Sequence, residues 1–474
     1  MKIQNNNSNN NNNNKTAGNN SNNRKASPHG RGNTSRTNNM RPDNLRTGGS
    51  RTGGKPSVKD SKVGKSNSVW SEGITKSERR AANRKSSDAI YLKPRLAKFD
   101  IPFFGILVML MAFGLVMLFT ASTSIGFREH SDSFHYIQSQ VFFMAVGFAA
   151  MLFCSFFDYK HLAKKRVAFT VFFGALAMLI MVLTPLGVVQ GGARRWLGFG
   201  ITFQPSEVMK FALIVMLAYI AYHHDDFLDS GRFKKGWFKW KGLPGFLIFL
   251  VIIAVPCGLM MLQPHLSGTI IVFSIGAMIM IASSIRKRYW LAAGGLAVGG
   301  GAAAVIAMMS SGFTYFGDRF LGFFDPEADI TGKTFQTYQS LVTIGSGGWF
   351  GYGLGNSRQK FAFLPASQND FVFSIICEEL GFLGGLLVML LFTLLVIRGF
   401  YIAVHSENRF GALLAAGITA QIGIQAFLNI AVTTNAVPNT GISLPMFSYG
   451  GTALVMQMAQ IGILLNISRH MRVD

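Results

Sequence analysis

The sequence predicts an all-α polytopic membrane protein with ten transmembrane helices and a long extracytoplasmic loop between helices 7 and 8. Three observations support this fold class. The 474 residues are 49% hydrophobic and only 14% charged, which is too apolar for an ordinary soluble enzyme. Ten apolar segments, each near the length that spans a bilayer, follow residue 100. Lys and Arg residues follow every second one of these segments.

A polar region of 98 residues precedes the first apolar segment. It contains Asn runs and many Ser, Gly, Lys and Arg residues, and residues 1–100 contribute +15 of the net charge of +23. Such a composition cannot bury enough apolar surface to offset the entropy of ordering. We therefore expect a disordered cytoplasmic tail at 1–98 that sets membrane orientation, or that binds anionic lipid or an acidic partner. No nucleic-acid partner is expected. The first apolar run begins at Ile101, so no cleavable signal peptide is predicted.

The membrane domain is predicted to cover residues 99–474. Its spans centre on residues 101–122, 137–157, 167–187, 206–223, 244–262, 267–285, 290–309, 371–397, 411–433 and 445–468. Because the basic residues follow the even-numbered spans, the positive-inside rule places those loops and both termini in the cytoplasm. The three cysteines lie inside apolar runs, so neither a disulfide nor a zinc framework is expected.

The opposite, extracytoplasmic side receives most of the polar and glycine-containing sequence. The third span is followed by GGARRWLGFGITFQPSEVMK, the seventh by the long loop 310–370, and the ninth by TTNAVPNTGISLPMFSYGGT. Working residues of a membrane protein concentrate in such loops and in ionisable positions near the membrane. The topology therefore predicts a functional site at the outer face of the membrane.

Cations accumulate on this outer side, against the positive-inside trend. They are Arg194, Arg195, Lys210, Arg319, Lys333, Arg358 and Lys360. Arg binds phosphate oxygens through two parallel hydrogen bonds, and Lys acts as a point charge. The set therefore favours a diphosphate ligand. The outward loops lack a Walker-type phosphate-binding motif, so a nucleotide is not the expected ligand.

The carboxylates near this side have two possible roles each. Asp370 stands directly before the apolar run FVFSII, where it is either a helix cap or a catalytic base. Glu207 and Lys210 are three residues apart on one helix face, so they form an internal ion pair or take part in function. Glu378 and Glu379 lie deeper in the eighth span, where a buried structural role is favoured over catalysis.

Several motifs together resemble the SEDS (FtsW/RodA/SpoVE) family of cell-division, elongation and sporulation proteins. The resemblance covers almost everything after residue 100, and the form GLGNSRQK is more similar to the FtsW branch than to the RodA branch. The motifs are GARRWLGFG, QPSEVMK, LQPHLSGT, QTYQSLVTIGSGGWFGYGLGNSRQK, LPASQNDF, EELGFLGG and GISLPMFSYGGT. The family's essential aspartate falls on Asp370. His265 stands where the family commonly has Asp, and Ala366, Gln368 and Asn369 replace the common Glu, His and Thr around Asp370.

The resemblance implies a peptidoglycan glycosyltransferase that polymerises lipid II into glycan strands, with inversion and with Asp370 as the general base. The implied partners are lipid II, the nascent strand, a class B penicillin-binding protein and other divisome proteins at the septum, and the implied cofactor is a divalent cation such as Mg²⁺ or Mn²⁺. The expected substrate-binding residues are Arg195, Trp196, Gln204, Glu207, Lys210, Arg319, Gln339, Ser340, Lys360, Ser448, Tyr449 and Gly450.

Two other functions remain open at the level of the sequence. Charged residues within a ten-helix bundle are also found in transporters, so the protein could be a lipid II flippase. A scaffold that only recruits a transpeptidase would need its helix surfaces but not Asp370. A transporter requires access from both sides of the membrane, whereas the polar sequence here gathers on one side, which favours the glycosyltransferase.

Overall fold

The structure is a computed structural model that describes residues 99–471, except 191–192, 200, 225–242, 284–288, 333, 362–363, 366 and most of 290–321. The predicted tail and most of the predicted seventh span lie outside the described residues. The helices are α1 (Ile101–His130), α2 (His135–Phe156), α3 (Lys165–Leu183), α4 (Pro205–His223), α5 (Leu243–Leu262), α6 (Leu266–Ala282), α7 (Phe335–Ser346), α8 (Val372–Val404), α9 (Arg409–Thr433) and α10 (Gly451–Ser468).

The helical membrane fold is confirmed, whereas the count of ten spans is not. Within the described residues, eight helices are long and apolar enough to cross a membrane, and α6 is a shorter apolar helix. These nine elements coincide with nine of the ten predicted spans. The tenth predicted span, 445–468, begins later than expected, because the helix starts at Gly451. The helix α7 lies within the long loop, where no helix was predicted.

A small antiparallel sheet connects α3 and α4 and was not expected in an all-α protein. Its strands are β1 (Gly187–Gln190), β2 (Ala193–Phe199) and β3 (Ile201–Phe203), in the order β1-β2-β3. Val188 pairs with Trp196, and the register shifts between Val188 and Val189. Backbone hydrogen bonds in this sheet satisfy a segment that is too polar to continue the preceding helix. The sheet thereby fixes the part of the chain that carries the predicted cations.

The helices differ in how much of their surface is buried. The most apolar windows of α4 and α9 are 83% and 78% buried, whereas that of α2 is only 22% buried. In a membrane protein the exposed apolar faces contact lipid, so α2 is peripheral and α4 and α9 are central. These two central helices carry several of the buried polar residues of the bundle, including Lys210, Gln425 and Asn429.

The first span begins at a buried acidic residue. The carboxylate of Asp100 accepts a hydrogen bond from the backbone N–H of Phe103, which caps α1. The Arg398 side chain near the end of α8 also binds Asp100, with Nε 3.1 Å from both carboxylate oxygens. This pair connects the start of α1 to the end of α8.

The connection between α9 and α10 folds back into the bundle. Phe447 is fully buried, and its ring packs against Phe113 of α1 and Phe392 of α8 at 5.6 and 5.9 Å between ring centroids. Gly114 permits this approach, because a Cβ at that position would lie 2.6 Å from the Met446 carbonyl oxygen. The apolar run from residue 445 is therefore a buried loop rather than the first turn of α10.

Candidate active site

Asp370 lies two residues before α8 in a half-buried position. The N-cap of α8 is Phe371, and no side-chain hydrogen bond caps the helix within the described residues. The interpretation of Asp370 as a helix cap is therefore not supported. Its backbone carbonyl accepts a hydrogen bond of 2.7 Å from the Asn429 amide, which also donates to the Ile442 carbonyl at 2.6 Å. Asn429 thus holds the Asp370 loop against the connection between α9 and α10.

The Asp370 carboxyl and the Arg319 guanidinium both lie close to Gly441. A Cβ built on Gly441 would lie 3.3 Å from Asp370 Oδ2 and 4.0 Å from Arg319 Nη1. Gly441 has φ of 70°, a conformation that favours glycine. Arg319 Nη1 donates to the Asn439 carbonyl at 2.5 Å, in the same connection. The loop therefore presents backbone rather than side chain beside the carboxylate and the guanidinium.

The environment of Asp370 sets its proton affinity. Burial raises the pKa of the Asp370 carboxyl to about 6, and the guanidinium groups of Arg319 and Arg195 oppose this shift. Desolvation disfavours the charged carboxylate, whereas a nearby cation favours it. A carboxyl group with a pKa of about 6 is ionised at neutral pH and is more basic than an ordinary Asp. This protonation behaviour suits a general base.

Arg195 comes to the site from strand β2. Its Nη2 donates a short hydrogen bond to the Pro264 carbonyl, in the turn between α5 and α6. The next residue, His265, is buried and contacts both Gln204 Nε2 and Ser206 Oγ through Nε2, at 3.2 Å each. Because an amide nitrogen only donates, His265 Nε2 is the acceptor. Its proton is therefore on Nδ1, where Ser267 Oγ lies at 3.4 Å.

His265 is neutral in this environment. Burial lowers the pKa of His265 to about 3, and the nearby charges of Arg195 and Lys210 act in the same direction. The sequence showed His265 only as a departure from the Asp common in the family. The structure places His265 in a hydrogen-bonded turn, close enough to Arg195 and Lys210 for both charges to act on it.

Glu207 and Lys210 form a buried ion pair, with 2.7 Å between Lys210 Nζ and Glu207 Oε2. Lys210 Nζ also donates to Gln425 Oε1 of α9 at 2.9 Å, and Gln425 Nε2 donates to the Ser443 carbonyl at 3.1 Å. This chain of contacts leads from the ion pair to the loop beside Asp370. Glu207 and Lys210 therefore do form the internal ion pair that the sequence allowed. Hydrogen bonds through Gln425 also link this pair to the loop beside Asp370.

The predicted residues of the SYGG motif contact the Asp370 loop through their backbone. The Tyr449 N–H donates to the Gln368 carbonyl at 2.9 Å. Gln140 of α2 donates to the Ser448 carbonyl at 3.3 Å and accepts from the Gly450 N–H at 3.4 Å. The Ser448 hydroxyl accepts from the Leu444 N–H at 2.7 Å. These residues shape the loop that carries Gly441.

Four other predicted site residues have different surroundings. Trp196 lies beside Arg195 on β2 and is half-buried. Ser340 is buried, where its hydroxyl contacts Ser374 and donates to the Thr433 carbonyl. Gln339 is half-buried on α7. Lys360 is buried, and its Nζ pairs with Glu379 Oε1 at 3.3 Å.

Sequence reasoning did not identify Gln425, Asn429 or Gly441. A signal was present for the first two, because α9 carries polar residues at every fourth position within an apolar helix. These buried residues are Gln421, Gln425, Asn429 and Thr433. A spacing of four places them on one face of the helix, facing the bundle interior. Gly441 could not be found in this way, because its role depends on a φ value and on distant residues.

Residues 101–473 match the FtsW/RodA/SpoVE family, which is described as cell cycle proteins. The chain belongs to this family. Stage V sporulation protein E of Bacillus subtilis is 37% identical over 77% of this chain and 96% of its own length. The probable peptidoglycan glycosyltransferase FtsW of Geobacter metallireducens is 33% identical over 80% of this chain and 96% of its own length.

Solved structures support the same fold. A structure described as the coordination of polymerization and crosslinking by a peptidoglycan synthase complex has a TM-score of 0.61 and 24% identity, covering 78% of this chain and 98% of the solved chain. The rod shape determining protein RodA of Thermus thermophilus has a TM-score of 0.56 and 23% identity, covering 80% of this chain and all of its own. The predicted SEDS family and the helical membrane fold are therefore confirmed.

Proposed function

We propose that this protein is a peptidoglycan glycosyltransferase of the cytoplasmic membrane, with Asp370 as its general base. The observation that carries the proposal is the position of the Asp370 carboxyl beside Gly441 and near Arg319, where burial raises its pKa to about 6 although Arg319 and Arg195 oppose the shift. Relatives named as probable peptidoglycan glycosyltransferases support the reaction class. The N- and C-termini are proposed to be cytoplasmic and the site to face outward. The proposed setting is cell division.

The proposed reaction transfers a growing glycan strand onto a new lipid II molecule. The acceptor C4 hydroxyl attacks the anomeric carbon of the donor, forming a C–O bond with inversion. Asp370 takes the hydroxyl proton, which makes the oxygen a stronger nucleophile as the bond forms. The bond from the anomeric carbon to the donor phosphate oxygen breaks, and undecaprenyl diphosphate leaves. Inverting displacement of this kind requires one base on the acceptor side.

Cations of the site are proposed to stabilise the leaving diphosphate. Arg195 and Arg319 act on Asp370, and Lys210 acts on His265 beside Arg195, so three positive groups lie within one polar region. Positive charge placed where negative charge develops lowers the barrier. Glu207 holds Lys210 in position by the 2.7 Å ion pair. A neutral His265 leaves the positive charge of this region undiminished.

A divalent cation is also part of the proposal. Among the described residues, no group of three or more His, Cys, Asp or Glu side chains is placed to hold a metal ion. Mg²⁺ commonly uses one or two carboxylates together with substrate phosphates. Because Asp370 is the proposed base, the diphosphate oxygens and water would hold such an ion, which would supply further charge neutralisation.

The test compares lipid II polymerisation by wild type, Asp370→Asn and Asp325→Asn, each purified with its class B penicillin-binding protein. Asp325 is an exposed loop residue and serves as the matched control. We expect Asp370→Asn to lose at least about 100-fold in rate because the base is removed, and Asp325→Asn to retain the wild-type rate. Full activity of Asp370→Asn would contradict the assignment.

The same preparations distinguish the flippase. No polymer from wild type, together with intact translocation of lipid II in liposomes, would replace the proposal by transport. Binding and activation of the transpeptidase without any polymerisation or translocation would instead indicate a scaffold. The peptidoglycan synthase complex among the structural relatives supports a transpeptidase partner for this chain.

A further inference from the structure

Helix α8 is interrupted near its outer end. Gly381 has φ of 69° and ψ of −168°, so the helical hydrogen-bond ladder breaks there. The glycine-containing segment 347–353 pairs with the break through its backbone. Tyr352 N–H donates to the Glu378 carbonyl at 3.0 Å, and Gly353 N–H donates to the Glu379 carbonyl at 2.8 Å. In return, Phe382 N–H donates to the Gly348 carbonyl at 2.8 Å.

The glycines are required by the closeness of this pairing. A Cβ on Gly347 would lie 1.9 Å from the Cys377 carbonyl oxygen, and a Cβ on Gly351 would lie 2.2 Å from that of Glu379. A Cβ on Gly381 would lie 2.4 Å from the Trp349 carbonyl oxygen. The two backbones therefore run in direct contact, and side chains larger than hydrogen cannot be accommodated at these positions.

The following residues are held by two buried carboxylates. Glu378 accepts hydrogen bonds from the Ser357 hydroxyl and from the Arg358 and Gln359 N–H groups, the latter two at 2.9 and 3.3 Å. Glu379 pairs with Lys360 at 3.3 Å. The polar groups of segment 347–360 therefore point toward α8, whose backbone and carboxylates bind them.

The other side of the segment is apolar and exposed. Its exposed side chains are Trp349 at 68%, Phe350 at 80%, Tyr352 at 45% and Leu354 at 54%, and we call them the apolar ridge. The Trp349 ring meets the Phe382 ring edge-on at 5.3 Å. Phe382 begins the exposed apolar face of α8, which continues through Leu386 and Leu390. The ridge is therefore continuous with the lipid-facing surface of a spanning helix.

The position of the break along α8 gives the depth of the ridge. Arg398, which binds Asp100 at the start of α1, marks the opposite membrane boundary. At about 1.5 Å per residue, Gly381 lies roughly 26 Å from Arg398 along the helix. The hydrocarbon core of a bilayer is about 30 Å thick. Gly381 and the ridge against it therefore lie at the outer boundary of the hydrocarbon.

We propose that the apolar ridge inserts into the outer membrane interface and packs against phospholipid acyl chains. Trp and Tyr concentrate at this level of membrane proteins because one end of each ring system is polar. The exposed Arg358 lies over the Tyr352 ring, 5.4 Å from its centroid, where a cation suits lipid phosphate. Non-helical backbone is tolerated at this depth only where protein satisfies it, as α8 does here.

Tryptophan fluorescence in lipid nanodiscs tests the proposal. The chain has six Trp residues, so a variant that keeps Trp349 and replaces the other five by Phe reports on the ridge alone. We expect brominated phospholipid chains to quench most of its emission and aqueous iodide to quench little. Strong quenching by iodide with none by brominated lipid would place the ridge in water and overturn the proposal. If the single-Trp variant does not fold, the quenching lost between wild type and Trp349→Phe gives the same information.

Two reference positions calibrate the measurement in a background without other Trp residues. Phe142→Trp lies on the exposed apolar face of α2, and Glu327→Trp lies in an exposed polar loop. The ridge should resemble the first and differ from the second. A photo-crosslinking residue at position 350, introduced in living cells, tests for a protein partner instead. A crosslinked protein adduct of this chain would assign the ridge to a partner and overturn lipid contact.

Discussion

Two buried Lys–Glu pairs in this protein have similar chemistry and different neighbours. Glu207 and Lys210 are 2.7 Å apart on α4, and Lys360 and Glu379 are 3.3 Å apart between the long loop and α8. The first pair is linked through Gln425 to the loop beside Asp370. The second is bound by backbone groups of its own segment, because Glu379 accepts from the Ser357 N–H and Lys360 Nζ donates to the Gly355 carbonyl. The neighbours of a buried charge, more than its burial, therefore indicate whether it belongs to a site or to the scaffold.

Replacing both members of each pair by neutral residues should separate the roles of the two pairs most clearly. A buried ion pair replaced by matched neutral side chains often costs little stability. We expect Glu207→Gln with Lys210→Met to fold but to lose about 100-fold in lipid II polymerisation, because a cation of the site is removed. Glu379→Gln with Lys360→Met should fold and keep most of the rate. An equal loss of rate in both double variants would show that Lys360 also contributes to substrate binding.

Asn429 and Asn466 provide a second comparison between the site and the scaffold. Both are buried and bind backbone groups, but Asn466 joins Tyr159 and Ser155 at the other end of the bundle. We expect Asn429→Leu to lower the polymerisation rate about tenfold, because a displaced Asp370 is poorly aligned with its substrate. Asn466→Leu should lower the melting temperature to a similar extent without this loss. Rates that simply follow the melting temperatures in both variants would contradict a positioning role for Asn429.

Neutralising Asp370 and neutralising Glu378 should change the melting temperature of the protein in opposite directions. Between about pH 4 and pH 6 the native Asp370 holds a proton that the unfolded chain has lost, since its pKa is raised to about 6. Stability from this group therefore falls as pH rises through that range. We expect Asp370→Asn to raise the melting temperature at pH 7.5 and to have little effect at pH 4. Glu378→Gln should lower it, because Glu378 accepts several hydrogen bonds. A lower melting temperature for Asp370→Asn at pH 7.5 would contradict the raised pKa.

His265→Asp should have the smallest effect. The residue lies near Arg195 and Lys210, which favour a negative charge at this position. We expect a loss of only about two- to threefold in the polymerisation rate, because Arg195 and Lys210 both stay in place and the new carboxylate offsets only part of their positive charge. Ser267, the neighbouring hydroxyl, remains available to either side chain. A loss as large as that of the Lys210 variant would indicate that the neutral imidazole itself is required.

The sequence predicted the parts of this protein that depend on local patterns. Apolar runs located nine spans, and the spacing of Glu207 and Lys210 allowed an ion pair to be proposed. The break at Gly381 could not be predicted, because it depends on backbone pairing with a segment about 30 residues earlier. The strands at 187–203 were missed because they are short and Gly-rich. The resemblance to a family identified Asp370, whereas its contacts with Gly441 and Asn429 required the fold.

The link between Asp100 and Arg398 has a consequence for the synthesis of the protein. The two residues are 298 positions apart. At about 5–20 residues per second, Asp100 leaves the ribosome roughly 15 to 60 seconds before Arg398. During this interval the first span is in the membrane without the partner of its terminal charge. The final packing of α1 therefore requires the synthesis of α8. If the ribosome stalls before residue 398, the start of α1 lacks its ion pair with Arg398.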